Sequence, residues 1–231
     1  MRKQHGFTLI EIAIVLVIIG LLLGGVLKGQ ELITSARVRN LISTQDGVKA
    51  AYFGFLDRYR ALPGDYGQAV ANIPNCTAVG ANPACHNGDN NGQIVTIAGG
   101  APNEEFVSAW EHLSKAGFVT GSYLYGDGNP VAGNTPVNPY GSLVQLIFDN
   151  AYMDPAGAAN TPARHNLKTG ANIASDILAE VDRKIDDGLA NGGQFRYSAF
   201  SNAAAAAACV GATNTWQSAT VNANCGGTSL F

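Results

Sequence analysis

Three groups of residues in this chain have types and spacings that could do chemistry. The first is a single carboxylate, Glu11, the one charged side chain in the apolar run from Phe7 to Leu27. An acid inside such a run costs on the order of 2–3 kcal/mol on insertion scales, so it calls for a cationic partner. The second is the stretch NGDNNG, in which Asn87, Asp89 and Asn91 alternate before Gly92. Alternating hard oxygens before a glycine are how a calcium loop starts, and Asp65 or Glu104 could add further ligands. The twelfth position of such a loop should be a bidentate acid, and here it is Ala98. The plainer alternative is a turn held by Asn and Asp side chains bonding nearby backbone. The third group is the four cysteines, Cys76, Cys85, Cys209 and Cys225. An even count in an oxidising compartment reads as disulfides. Three pairings exist; the local ones, Cys76–Cys85 and Cys209–Cys225, are favoured. Neither pair has the tight spacing of a zinc or redox motif.

Other chemistry lacks support. His86, His112 and His165 have no metal-type spacing, and Ser108, Ser114 and Ser142 have no evident companions for a triad. No nucleophile elbow, zinc helix or phosphate loop is present, so no catalysis and no cofactor beyond calcium are expected. Asp182, Asp186 and Asp187 are interleaved with Arg183 and Lys184 and read as a solvated helix face. The formal charge is −3, and losing Arg2 and Lys3 with a leader would make it −5. That mild acidity gives no support to nucleic acid as the main partner.

The elements that must position these groups begin with the apolar run. Its 21 residues match the roughly 20 that a helix needs to span a bilayer. Arg2 and Lys3 precede it and favour a cytoplasmic N-terminus, which sends the rest of the chain outward. A secretory signal cut near Thr34–Ala36 is the competing reading, but its apolar core would be shorter and uninterrupted by an acid. Beyond Leu27, the residues Leu41, Val48, Tyr52, Phe55, Tyr59 and Leu62 form one helical stripe. Pro63 and Gly64 stop it. The expected organisation is a leader over 1–6, a helix over 7–62 with its membrane segment at about 7–27, and a globular head over 63–231. The head is expected to hold an irregular region over 64–100 and a short helix capped by Asn103 and ended by Gly117. A strand within 141–153, a helix ending at Gly188 and a strand at 195–200 follow. The fold class is therefore α+β, a long helix packed on a small head with an antiparallel sheet.

The residues KQHGFTLIEIAIVLVIIGLL resemble the class III leader of type IV prepilins and pseudopilins. Gly6, Phe7, Thr8, Leu9, Ile10 and Glu11 fit that pattern without a gap, and LPGDY, AWEHLSKAGFVTGSY and AEVDRKIDDGLANGGQFR look like pieces that recur in such proteins. The resemblance implies that prepilin peptidase cuts between Gly6 and Phe7 and that the new Phe7 amine is methylated. It implies that Glu11 neutralises the Phe7 amine of a neighbouring subunit. It also implies an inner-membrane protein with a periplasmic head, surrounded by lipid until an assembly platform moves it into a filament of pilin or pseudopilin subunits. The form favoured is a structural subunit of a type IV pilus, and the long head leans towards a minor one. A type II secretion pseudopilin is the alternative, and a filament-tip adhesin or DNA-binding module is the alternative of another class. The cysteines Cys209 and Cys225 look like those bounding the C-terminal loop of type IV pilins. One departure is the lack of a proline near Lys28, where many members carry one; Gly20, Gly24 and Gly25 are the loosening residues this chain offers instead.

Overall fold

The computed structural model describes residues 9–76, 85–96, 104–126, 128–155 and 161–231. Its first element is helix α1, Leu9–Tyr59, 51 residues and so about 77 Å long. The helix ends where Arg60 takes a left-handed backbone (φ 54°), three residues before Pro63. Its first half has no cover: Leu9 to Leu27 are exposed on every side. Its second half buries Val38, Leu41, Gln45, Val48, Ala51, Tyr52 and Phe55. These positions recur at three and four residues, as one face of a helix must.

The head follows as α2 (Ala69–Asn72), α3 (Glu105–Lys115), β1 (Gln145–Asp149), β2 (Arg164–Lys168), α4 (Ser175–Ile185), β3 (Phe195–Tyr197), α5 (Ala206–Cys209) and β4 (Gly227–Leu230). The four strands form one antiparallel sheet in the order β1-β2-β4-β3. The fold is α+β, a long N-terminal helix packed on a small head. The stem is shared by both parts of the core. Val48, Ala51, Tyr52 and Phe55 pack with Trp110 and Leu113 of α3 and with Leu146 and Leu167 of the sheet. Val38 and Leu41 pack with Leu178 and Val181 of α4 and with Phe195, Tyr197 and Trp216.

Strands β2 and β4 lack the apolar alternation that announces a strand, and beside Leu167 and Leu230 they bury the polar residues Asn166, Lys168, Thr228 and Ser229. The Lys168 ammonium lies 2.8 Å from the Asp149 carboxylate, Asn166 Nδ2 donates to Asp149 Oδ1 at 2.9 Å, and Thr228 Oγ1 donates to Asn166 Oδ1 at 2.9 Å. Burial pulls the Lys168 pKa down, and Asp149 opposes that. A satisfied polar chain of this kind fixes strand register where apolar alternation is missing. The alanine run resolves into extended backbone at Ala203 and Ala205 followed by the short α5.

Candidate functional site

The stem carries the first part of the site. By length and composition α1 can cross a membrane. Glu11 lies in its first described turn, while Gly6 and Phe7 lie outside the described residues. Above the apolar half, three of the four stem arginines have partners within the chain. The Arg37 guanidinium lies 5.2 Å from the Tyr140 ring centre, Arg58 lies 5.2 Å from that of Tyr59, and Arg60 stands 3.5 Å from Asp57. Among the described residues the exposed Arg39 has no ion-pair or ring partner.

The second part is where the stem hands over to the head. Pro63, Gly64 and Asp65 are buried against α3. A Cβ added at Gly64 (φ 89°) would stand 2.3 Å from the Glu105 carbonyl oxygen, and one at Gly88 would stand 2.2 Å from the Asp65 carbonyl carbon. Both approaches require glycine. The Gly64 N–H donates to His112 Nδ1 at 2.9 Å, so the proton sits on Nε2, which donates to the His86 carbonyl oxygen at 2.6 Å. Complete burial holds the His112 pKa down at about 4, so this histidine is a neutral clasp between stem end and head.

Asp65 accepts from Asn91 N at 2.8 Å and from Gly92 N at 2.9 Å. Glu105 accepts from Asp89 N at 3.1 Å and from Val95 N at 3.0 Å. The acids that meet in the head are therefore Asp65, Asp89 and Glu105, with carboxylate oxygens within 4.8 Å of one another. Of the three predicted calcium donors, Asp89 belongs to this group. Asn87 Oδ1 accepts from Val70 N at 3.0 Å and Asn91 Oδ1 from Gln93 N at 2.7 Å, so these two side chains brace backbone. Glu104, considered as a further ligand, instead bonds the Thr96 hydroxyl, and its neighbour Glu105 joins the acids. The twelfth loop position, Ala98, and the expected cap, Asn103, lie outside the described residues; the cap position of α3 is Glu104.

Burial raises the Asp65 pKa and lifts that of Glu105 to about 7, with the neighbouring acids adding to both. A carboxyl raised this way favours the folded state when protonated, so its contribution is full below its ordinary pKa and is lost as pH rises through 7. His112 works in the opposite sense, because below about pH 6.5 the unfolded chain gains a proton that the folded one refuses. The detergent-solubilised chain in EDTA is therefore expected to gain about 1 kcal/mol, or about 2–4 °C in melting temperature, between pH 8 and pH 6.5. Differential scanning calorimetry checks this. Glu105→Gln should remove the gain, and a wild-type melt that falls over the same limb would refute the burial argument. Calcium held by these acids would keep them ionised and invert the slope, so repeating the titration in calcium separates the two states.

Of Asp182, Asp186 and Asp187, only Asp187 is exposed as a solvated face requires. Asp182 is fully buried, accepting from Trp216 Nε1 at 2.6 Å and from Gly188 N at 3.1 Å, and burial raises its pKa to about 6. Asp186 accepts from the Gln194 and Phe195 amides, and Asp187 from Leu189 N at 2.8 Å. The three acids tie the end of α4 to β3 and to Trp216. Cys76 is bonded to Cys85 and Cys209 to Cys225, the first stapling the loop region to the stem core and the second closing the segment before β4. In the chain-entropy model such short loops stabilise by roughly 2–3 kcal/mol each.

Residues 1–27 match the family model described as the prokaryotic N-terminal methylation motif. No curated protein and no solved structure matches the chain. The N-terminal segment is thus a class III leader of the type IV prepilin kind.

Proposed function

We propose that this chain, which carries a prepilin-type methylation motif, is a filament subunit of the type IV pilus class. Prepilin peptidase removes residues 1–6 and methylates Phe7. Lipid covers the apolar half of α1 before assembly, with the N-terminus cytoplasmic and the head periplasmic. The assembly platform then transfers the stem from lipid to the stems of neighbouring pilins. The observation that carries this reading is the coincidence on the same residues of the motif and a half-helix with no cover from its own head. Such a face must be covered by something other than this chain.

Glu11 has a second task in this scheme. The Phe7 amine of a neighbour, with a reference pKa of about 7.7–8.0, meets it across the packed stems. In a water-poor core one axial offset is then favoured over others, because a slipped register leaves a buried charge unpaired. The Cys209–Cys225 staple supports a pilus over a type II secretion pseudopilus. Surface fibres sheared from cells are expected to contain the chain at its mature mass. Recovery from the envelope alone, together with loss of protein export in a deletion strain, would replace the pilus by the secretion assembly.

A further inference from the structure

Between stem and head lies a cavity of about 150 Å³, walled by Ile42, Gln45, Asp46 and Lys49 of α1 and by Asp186 and Ser229 of the head, among others. Its wall is unusual in what it leaves unmet. Gln45 is 3% exposed and Ser229 1% exposed, yet among the described residues Gln45 Oε1 and Ser229 Oγ have no hydrogen-bond partner. Buried polar atoms are rarely left so, because each has given up its water without gaining a partner. Two carboxylates against one ammonium also leave the wall net negative, and the Lys49 ammonium lies over the Phe231 ring, 5.8 Å from its centre. The wall therefore offers a carbonyl oxygen, a hydroxyl and excess carboxylate. The group that answers this is a cation made only of donors, and a guanidinium is such a group, with five N–H donors and no acceptor.

We propose that this cavity is a socket for the Arg39 side chain of a second copy of this chain, filled when stems pack side by side. The inference rests on the filament reading above. Among the described residues Arg39 is the stem arginine left without an ion-pair or ring partner. Its level is also right. Pairing the Phe7 amine of one copy with Glu11 of the next offsets parallel stems by four residues, about 6 Å. At that offset the neighbour's Arg39 stands level with position 43, between Ile42 and Asp46 of the socket wall. The Phe7–Glu11 contact at the foot of the stem and the Arg39 contact at its shoulder then enforce one register.

Variants at Arg39 and Gln45 test this in whole cells, with the wild-type chain as reference. Arg39→Ala should lower incorporation into sheared filaments at least tenfold in competition with wild type, and Arg39→Lys should restore part of it. Gln45→Met removes the unmet carbonyl. It should leave the melting temperature of the dispersed chain unchanged or higher while lowering incorporation, a split that a purely structural role for Gln45 would not produce. In addition, copies bearing Arg39→Cys mixed with copies bearing Asp46→Cys should give a dimer with a short bismaleimide in filaments and not in detergent. Wild-type incorporation of Arg39→Ala, or intact filaments without the cross-linked dimer, would show that water alone fills the cavity. A wild-type chain that never enters filaments would overturn the assembly reading and the socket with it.

Discussion

A chain carrying Glu11→Val is expected to enter the membrane at least as well as the wild type and to be nearly absent from filaments. The first half follows from lipid chemistry. The substitution replaces the one charged side chain between Phe7 and Leu27 by an apolar one, removing a penalty on the order of 2–3 kcal/mol at a central position and less near a helix end. The second half follows from what remains. In a stem bundle the Phe7 amine of the neighbour would be buried without a counter-charge, and breaking a buried pair from one side costs roughly 3–5 kcal/mol. Competition between tagged wild type and variant in one cell reads both effects, as the ratio of the two chains in membranes and in sheared filaments. The filament ratio should fall at least tenfold below the membrane ratio. Equal ratios would remove the intersubunit pair from the mechanism and leave Glu11 as an acid that merely favours its own helix start.

The second large effect concerns Gly6. Intact mass measurement of the purified protein should find a chain that begins at Phe7 and carries one methyl group. Gly6→Val should leave residues 1–6 in place and abolish the methylated species, because a β-branched side chain next to the cut blocks the close backbone approach that glycine allows. The uncut chain keeps Arg2 and Lys3 at its start and has no free amine at Phe7, so it should remain in the membrane fraction and be missing from filaments. A mature chain that starts at Arg37 would mean secretory cleavage, and the apolar half of α1 would then be a discarded signal.

The parts of this architecture that were readable from sequence are those whose signals are local. An apolar run of membrane length, a stripe at three- and four-residue spacing, and the apolar faces of α3 and α4 each announce a helix within a dozen residues. The Leu146–Phe148 run announces β1 in the same way. What was hidden depends on partners far along the chain. Strand β2 reads as RHNLK and β4 as GTSL, and neither looks like a strand until Asp149, Asn166, Lys168 and Thr228 are seen satisfying one another. Asp182 sits beside Arg183 and Lys184 in sequence and so looks solvated; the Trp216 that buries it comes 34 residues later. The Asn-rich loop showed its turn chemistry and pointed to Asp65, but not to Glu105, which reaches it from farther along the chain. Glu11 was legible through its cost alone, as an acid in an apolar run of membrane length.

The sheet order β1-β2-β4-β3 carries a consequence for how the head is made. Strand β4 comes last in chain order yet stands between β2 and β3, so at the moment β3 emerges during synthesis it has no partner to pair with. The stem, α3 and the β1–β2 hairpin can form as they emerge, because their contacts are with segments already outside. The second core region cannot, for it waits on Trp216, on Cys225 and on Gly227–Leu230. Closing contacts over this many residues is slow, since loop entropy is spent before any contact rewards it. Head folding is thus vectorial in its first part and delayed in its second, with the Cys209–Cys225 bond forming late. During that delay the exposed edges of β2 and β3 are the chain's points of greatest vulnerability to aggregation and to proteolysis.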